Sequence, residues 1–335
     1  VAIEHLRSHT VGKFNWNAYN LQTSGVGNLA GTGAVVADST LNWPGVNRND
    51  RSSEWMLSDS VTYGKLRGFA GVRLSSIKRT SRAIDDTASS EYSQSLATPW
   101  AGASYALGTT QLYIGAGQGV ELPVVPALQA FYLAEAGKVL PVQKSHQFEM
   151  GARGGDKITN WSLAWFDITK PTITDTGSAY YLDGIAKHRG IEAQIQHTMG
   201  PLKLAVSTML MKAVREGSTT AAYNGMKPTN VPANTLRLQS NYKIADTGWD
   251  VQNIWVRDGA RAVTPYNDVM LPAWSRWDLA LGYKQTVSGK SVQYRMGVDN
   301  VTDKRYWKGS PTQFGNYFLY PGAPRTIRLT AQLDF

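Results

Sequence analysis

The chain has 335 residues, 34 Lys and Arg against 25 Asp and Glu for a formal charge of +9, and no Cys. The absence of Cys excludes a disulfide scaffold, a thiolate metal site and a cysteine nucleophile. The positive balance permits anionic partners, but no basic run and no RNA-binding aromatic motif points to nucleic acid.

No apolar stretch reaches the roughly 18 residues a transmembrane helix needs, so a membrane crossing requires a closed barrel. The 11 Trp, 16 Tyr, 8 Phe, 32 Gly and 14 Pro fit many strands joined by turns. The Trp and Tyr excess suits interfacial girdles, and aromatic-rich carbohydrate-binding sandwiches share it.

Period-two alternation predicts about fourteen strands, each near ten residues, in a single body covering 1–335. VAIEHLRSHT rises into a loop rich in Gly, Asn and Ser that runs to about Arg51, and SEWMLSDSVTY returns to a turn at Gly64 and Lys65. LRGFAGVRLSSIKR leads to a polar loop at Asp85 to Ser95, and TPWAGASYAL to a turn at Gly108. TTQLYIGAGQG opens the excursion Val120 to Lys144, where PALQAFYLAEAG has the pattern of a short helix. SHQFEMGARG, a turn at Gly155 and Asp156, and NWSLAWFDIT precede a loop from Lys170 to Arg189. GIEAQIQHT and LKLAVSTMLM meet at Gly200 and Pro201; after the loop Arg215 to Ala233 come TLRLQSNYKI, the turn ADTG, and GWDVQNIWVR. The loop Asp258 to Leu271, the strand PAWSRWDLALGYKQT and a turn at Ser288 and Gly289 lead to the last hairpin. Short turns alternate with long loops throughout, as in an antiparallel up-and-down transmembrane β-barrel with its long loops outside. A Greek-key sandwich has no reason to alternate so regularly.

In the last hairpin, Val292, Tyr294, Met296 and Val298 alternate with polar residues, as do Ile327, Leu329, Ala331, Leu333 and Phe335. On this parity Trp277, Leu279, Leu281, Tyr283, Ile327, Leu329 and Leu333 are expected to face lipid. Arg276, Asp278, Arg328 and Gln332 are expected to face the interior, and Arg295, Asp299 and Asp334 to share that polar lining. The segment VDNVTDKRYW, followed by YPGAPRTIRLTAQLDF, resembles the carboxy-terminal end of TonB-dependent outer-membrane receptors. Asn300, Asp303, Tyr306, Trp307, Gly322, Pro324, Arg325 and Phe335 carry the match. The pairing of Tyr-Trp with Gly-Ala-Pro-Arg-Thr is most similar to the ferric-siderophore branch.

The resemblance implies a Gram-negative outer-membrane receptor that captures a ferric siderophore and is energised through TonB. It implies a barrel of about 22 strands with a plug. This chain would then be a partial barrel, lacking the plug, roughly eight amino-terminal strands and the segment that engages TonB. Val1 starts inside a strand with no signal peptide before it, which also predicts a truncated chain. Lipid, lipopolysaccharide and the barrel assembly machinery are implied partners, with terminal Phe335 as the assembly signal. Iron would travel inside its chelator, so no cofactor, protein-derived metal ligand or catalytic residue is expected. A passive porin or an adhesin-like barrel without a plug is the alternative.

Other motifs read as structural. His5 and His9 lack the Glu of a zinc-protease helix and sit on a strand; GYKQTVSGKS has the wrong glycine spacing for a phosphate loop; GAGQG, Gly115 to Gly119, lacks dinucleotide-binding spacing. His146, His188 and His197 come without a GxSxG elbow, so no enzyme is expected. Aromatics assigned to the outer loops, Tyr180, Tyr181, Tyr223, Tyr266, Phe314 and Tyr317, are the candidate ligand contacts, since their rings pack against an organic chelator. Lys187, Arg215, Lys227 and Arg261 are basic neighbours suited to an anionic complex.

Overall fold

The computed structural model describes residues 1–16, 43–83, 89–124, 139–287, 289–313 and 315–333. The proposed helix in PALQAFYLAEAG, Phe314, Asp334 and the terminal Phe335 lie outside the described residues.

The wall is built from β1 (Ala2–Trp16), β2 (Trp43–Tyr63), β3 (Leu66–Ala83), β4 (Ser89–Leu107), β5 (Thr110–Glu121), β6 (Gln143–Gly155) and β7 (Thr159–Asp175). It continues through β8 (Tyr180–Met199), β9 (Leu202–Glu216), β10 (Asn234–Lys243) and β11 (Trp249–Asp258). Between β11 and the next wall strand lie the short β12 (Arg261–Ala262) and β13 (Met270–Leu271). Then come β14 (Trp274–Val287) and β15 (Lys290–Asp299). The final loop contains β16 (Trp307–Gly309), β17 (Thr312–Gln313), β18 (Asn316–Tyr317) and β19 (Tyr320–Pro321), before β20 (Thr326–Leu333). Fourteen of these form one sheet whose neighbours follow the chain, β1 to β11 and then β14, β15 and β20, all antiparallel. Within the described residues β1 and β20 do not pair, so the sheet has two open edges.

Cross-strand register sorts the side chains into two faces, as the pleat requires. Met150 opposes Ile114 and Trp165, Trp165 opposes Ile191, and Ile191 opposes Leu210, giving one continuous apolar row. Met150, Leu163 and Ile191 remain nearly half exposed, and with Leu112, Ile114 and Trp165 they line an apolar trough of about 640 Å³. So much contiguous apolar surface is the mark of a wall facing lipid. Trp277, Leu279, Leu281 and Tyr283 share this face with Trp255, Asn253, Val251 and Trp249; Ile327, Leu329 and Leu333 share it with Val298, Met296 and Val292.

The other face is hydrogen-bonded and charged. Tyr113 donates to Glu149 at 2.7 Å, Arg153 to Gln111 at 2.8 Å, and Arg79 grips Asp50 through two bonds of 2.6 and 2.9 Å. Near the last strands Arg276 pairs with Asp278 and Arg328 with Asp299, as polar alternation anticipates. Leu329→Arg is expected to cost about 2–4 kcal/mol near the bilayer midplane. Equilibrium refolding of the complete protein into vesicles measures it, and a cost near zero would take Leu329 off the lipid face.

The strands correct the sequence reading in length. β2, β3, β4 and β8 run for 21, 18, 19 and 20 residues rather than about ten. The expected loop Lys170 to Arg189 is mostly ladder: β7 continues to Asp175 and β8 begins at Tyr180, leaving only 176–179 as a turn. Tyr180 and Tyr181 therefore open a strand, and Arg215 belongs to β9. At about 3.3 Å per residue and about 40° of tilt, β8 rises roughly 50 Å, twice the apolar band of about 25 Å.

Burial follows the same geometry. Asp183, Ala186, Ala213, Arg215, Ala262, Leu271, Trp274 and Asn300 are buried, and all lie toward the outer end where the loops pack. Among the described residues these form a packed cluster at the mouth, whereas Leu96, Phe166, Thr98 and Ser104 are buried along the wall.

Candidate functional site

Three connections fold together over that mouth: 217–233, 259–273 and 300–325. The Asn230 N–H donates to the Ala262 carbonyl at 2.8 Å, and Asn230 Oδ1 accepts from the Ser310 N–H at 3.1 Å. Asn267 holds Lys227 by accepting from its N–H at 2.8 Å and donating to its carbonyl at 3.0 Å. The last loop reaches across to the β7–β8 turn. There Gly315, at φ +72°, approaches Gly177 so closely that a Cβ would lie 2.6 Å from the Gly177 nitrogen.

Asp183, 1% exposed, anchors this cover. Its carboxylate accepts from Thr174 Oγ1 at 2.9 Å, Ser218 Oγ at 2.6 Å, the Thr219 N–H at 2.7 Å and Thr219 Oγ1 at 2.9 Å. Arg215 Nη2 reaches it at 3.4 Å and Thr174 Oγ1 at 3.3 Å. The Arg215 guanidinium then lies 4.7 Å from the centre of the Tyr223 ring, in cation-π contact, and its Nε is buried without a hydrogen-bond partner. Tyr223 packs edge-on against Tyr266 at 4.9 Å. Burial, and then the hydrogen bond with Tyr266, push the Tyr223 hydroxyl up to about 12, so it stays neutral. Burial and then the charge of Asp268 also raise Tyr317, which lies within electrostatic reach of Arg215 and Tyr266.

Of the six candidate aromatics, the structure thus brings Tyr223, Tyr266 and Tyr317 to one place. Tyr180 borders it through Asp175, whose charge reaches both Tyr180 and Tyr317. Tyr181 pairs with Thr174 in the ladder. Of the basic neighbours, Lys187 is bound to Glu216 at 2.6 Å, Arg261 to Asp258 at 2.7 Å and Arg215 to Asp183, whereas Lys227 is exposed. Asp183, Thr174, Ser218 and Thr219 were not among the sequence candidates, and the Asp183-Gly184 dipeptide was their only local signal.

The residues that carry the family resemblance take structural roles. Asn300, fully buried at φ +54°, donates to the carbonyls of Lys304 and Ala323 at 3.0 Å each. Its Oδ1 accepts from the Lys304 N–H at 2.9 Å, and its own N–H donates to Asp278 at 2.8 Å. Asp303 accepts from the Arg325 N–H at 3.1 Å. Tyr306 stacks on Trp274 at 4.2 Å and also packs against Gly322, where a Cβ would sit 2.1 Å from the ring. Together these contacts close the last loop onto β14, β15 and β20.

A family model described as TonB dependent receptor-like, beta-barrel matches residues 4–301. The ferrichrome receptor FcuA of Yersinia enterocolitica is 29% identical over 208 residues, covering 61% of this chain and 27% of the relative. An uncharacterized TonB-dependent receptor of Haemophilus influenzae is 26% identical over 216 residues, covering 58% and 61%. The solved structure of the ferric yersiniabactin uptake receptor FyuA from Yersinia pestis shares the fold with a TM-score of 0.74 at 15% identity, over 99% of this chain and 51% of that one. The ferric preacinetobactin receptor BauA from Acinetobacter baumannii gives 0.70 at 22%, over 91% and 44%. The chain therefore spans less than two thirds of each of these relatives. The family consists of transport receptors rather than enzymes. With residues 4–301 matched and fourteen strands in sequence order, the chain belongs to the TonB dependent receptor-like β-barrel family of the Gram-negative outer membrane.

Proposed function

We propose that this chain is the carboxy-terminal barrel wall and outer vestibule of a receptor that takes up ferric siderophores, energised through TonB. The observation that carries the reading is the convergence of Tyr223, Tyr266 and Tyr317 beside the Arg215 cation at the mouth, under loops that pack on one another. Neutral phenols supply ring surface and hydroxyl donors to an organic chelator, which brings its own iron ligands. The open edges at β1 and β20 support further strands in the complete receptor, and a plug within the lumen would then meet the charged inner face.

Replacing Tyr223, Tyr266 and Tyr317 with Ala as a group in the complete receptor tests this. Each ring contributes on the order of 1 kcal/mol of contact, so the triple variant is expected to bind its ferric siderophore about 100-fold more weakly. Titration against a panel of ferric siderophores reads the change. Unchanged affinity across the panel would take the loops out of the site and leave recognition to the plug.

A further inference from the structure

Between β10 and β20 the inner face holds a pocket of mixed chemistry. Its floor is low and apolar: Ala280 opposes Gly297, and Ile254 and Val256 stand on the neighbouring β11. Long bases surround this floor. Arg237 and Arg276 lie in one cross-strand row on either side of Val256, Arg328 lies opposite Gly297, and Arg295 lies opposite Thr330. With Asp278 and Asp299 they line a volume of about 480 Å³, within the range of roughly 300–1,000 Å³ that small-molecule sites occupy.

The charges in this pocket do not cancel. Asp278 is taken by Arg276 at 2.9 Å and by the Asn300 N–H at 2.8 Å, and Asp299 by Arg328 at 2.6 Å. Among the described residues Arg295 donates only to the neutral Gln252, at 3.1 Å, and Arg237 makes no hydrogen bond or ion pair. Asp250, the next carboxylate on this face, leans over Gly282 and accepts from Asn241 at 3.3 Å instead. Elsewhere on the inner face bases meet acids, as Arg79 meets Asp50 and Arg73 meets Glu54. Here two guanidiniums are left without counter-charge on opposite sides of an apolar floor.

We propose that Arg237 and Arg295 hold an anionic ferric complex presenting at least two carboxylates, at a second station below the mouth. The proposal rests on the receptor reading above, in that the anion is cargo. The two residues stand three strand spacings apart, roughly 14 Å, so one acidic side chain of a plug would satisfy one guanidinium and leave the other. A compact polycarboxylate spans both, with its organic surface on Ile254, Val256 and Ala280. Guanidinium groups bind carboxylates bidentately, and the Thr330 hydroxyl opposite Arg295 adds a donor. An uncharged complex in the same place would cover both bases without pairing them, so the pocket selects for the anion.

The test uses the complete receptor in detergent. Its arginines are modified with phenylglyoxal and read by peptide mass spectrometry, with ferric citrate as the carboxylate probe and ferrichrome as the uncharged one. Arg237 and Arg295 are expected to react freely without probe, at least tenfold more slowly with saturating ferric citrate, and at the free rate with ferrichrome. Arg67 on the inner face of β3, which donates to Ser60, should react equally throughout. Protection should persist in the Tyr223→Ala/Tyr266→Ala/Tyr317→Ala variant, which keeps this result separate from that of the mouth; its loss there would tie the anion to the mouth and overturn the second station. In that background Arg237→Gln/Arg295→Gln should weaken ferric citrate binding at least tenfold, while Arg237→Lys/Arg295→Lys keeps most of it. Unreactive Arg237 and Arg295 without probe would mean that the plug fills the pocket. That result, or equal reaction with and without ferric citrate, would overturn the assignment.

Discussion

Asp183→Ala is expected to destabilise the β7–β9 corner by about 3–5 kcal/mol, because it leaves Arg215 buried without its counter-charge. The side chains of the pair are 0% and 6% exposed, so water cannot replace the lost carboxylate without opening the corner. Ser218, Thr219 and Thr174 lose an acceptor at the same time. The effect is local: hydrogen exchange at the Thr219 amide should accelerate by about 100-fold or more, with strand amides near the Gly200 turn unchanged. Asp183→Asn keeps the shape but not the charge and should fall between the two. Unaltered exchange at Thr219 in Asp183→Ala would show that the carboxylate does not hold the cover.

Asn300→Ala should cost about 3–4 kcal/mol. Three side-chain hydrogen bonds are lost at roughly 1 kcal/mol each, and a β-carbon without local hydrogen bonding at φ +54° adds about 1 kcal/mol of strain. Asn300→Gly removes the strain but not the lost bonds, so it should be milder by that last increment. Denaturant titration of the complete protein in vesicles compares the two, and equal stability of Asn300→Ala and the unaltered protein would refute the role. Because Asn300 joins the end of β15 to the carbonyl of Ala323, the loop 300–325 should become protease-sensitive before the wall does.

The wall was legible because lipid and lumen impose opposite chemistry on alternate residues, so Leu329 and Arg328 could be sorted from parity alone. The turns were legible because Gly64, Gly108, Gly200 and Gly289 supply positive φ where the chain reverses. Above the membrane both faces are wet, and the alternation that marks a strand fades. Lys170, Thr174 and Lys187 read as loop although backbone pairing carries β7 and β8 through them. That is why Tyr180 and Tyr181 were placed in a loop. The Asp183 anchor was not legible for another reason: Thr174, Arg215, Ser218 and Thr219 come from separate segments that only the fold brings together. Asn300 stood out as part of a family signature, but its role depends on a carbonyl in the loop that returns to β20.

The extra length of β8 changes what an approaching ion experiences. Its outer end stands roughly 20 Å above the apolar band, while the Debye length at physiological ionic strength is about 8 Å. Charges at that outer end are thus separated from the anionic membrane surface by more than two screening lengths. An anion at that height would feel the local field of the loops, largely free of the repulsion that a flush opening would impose.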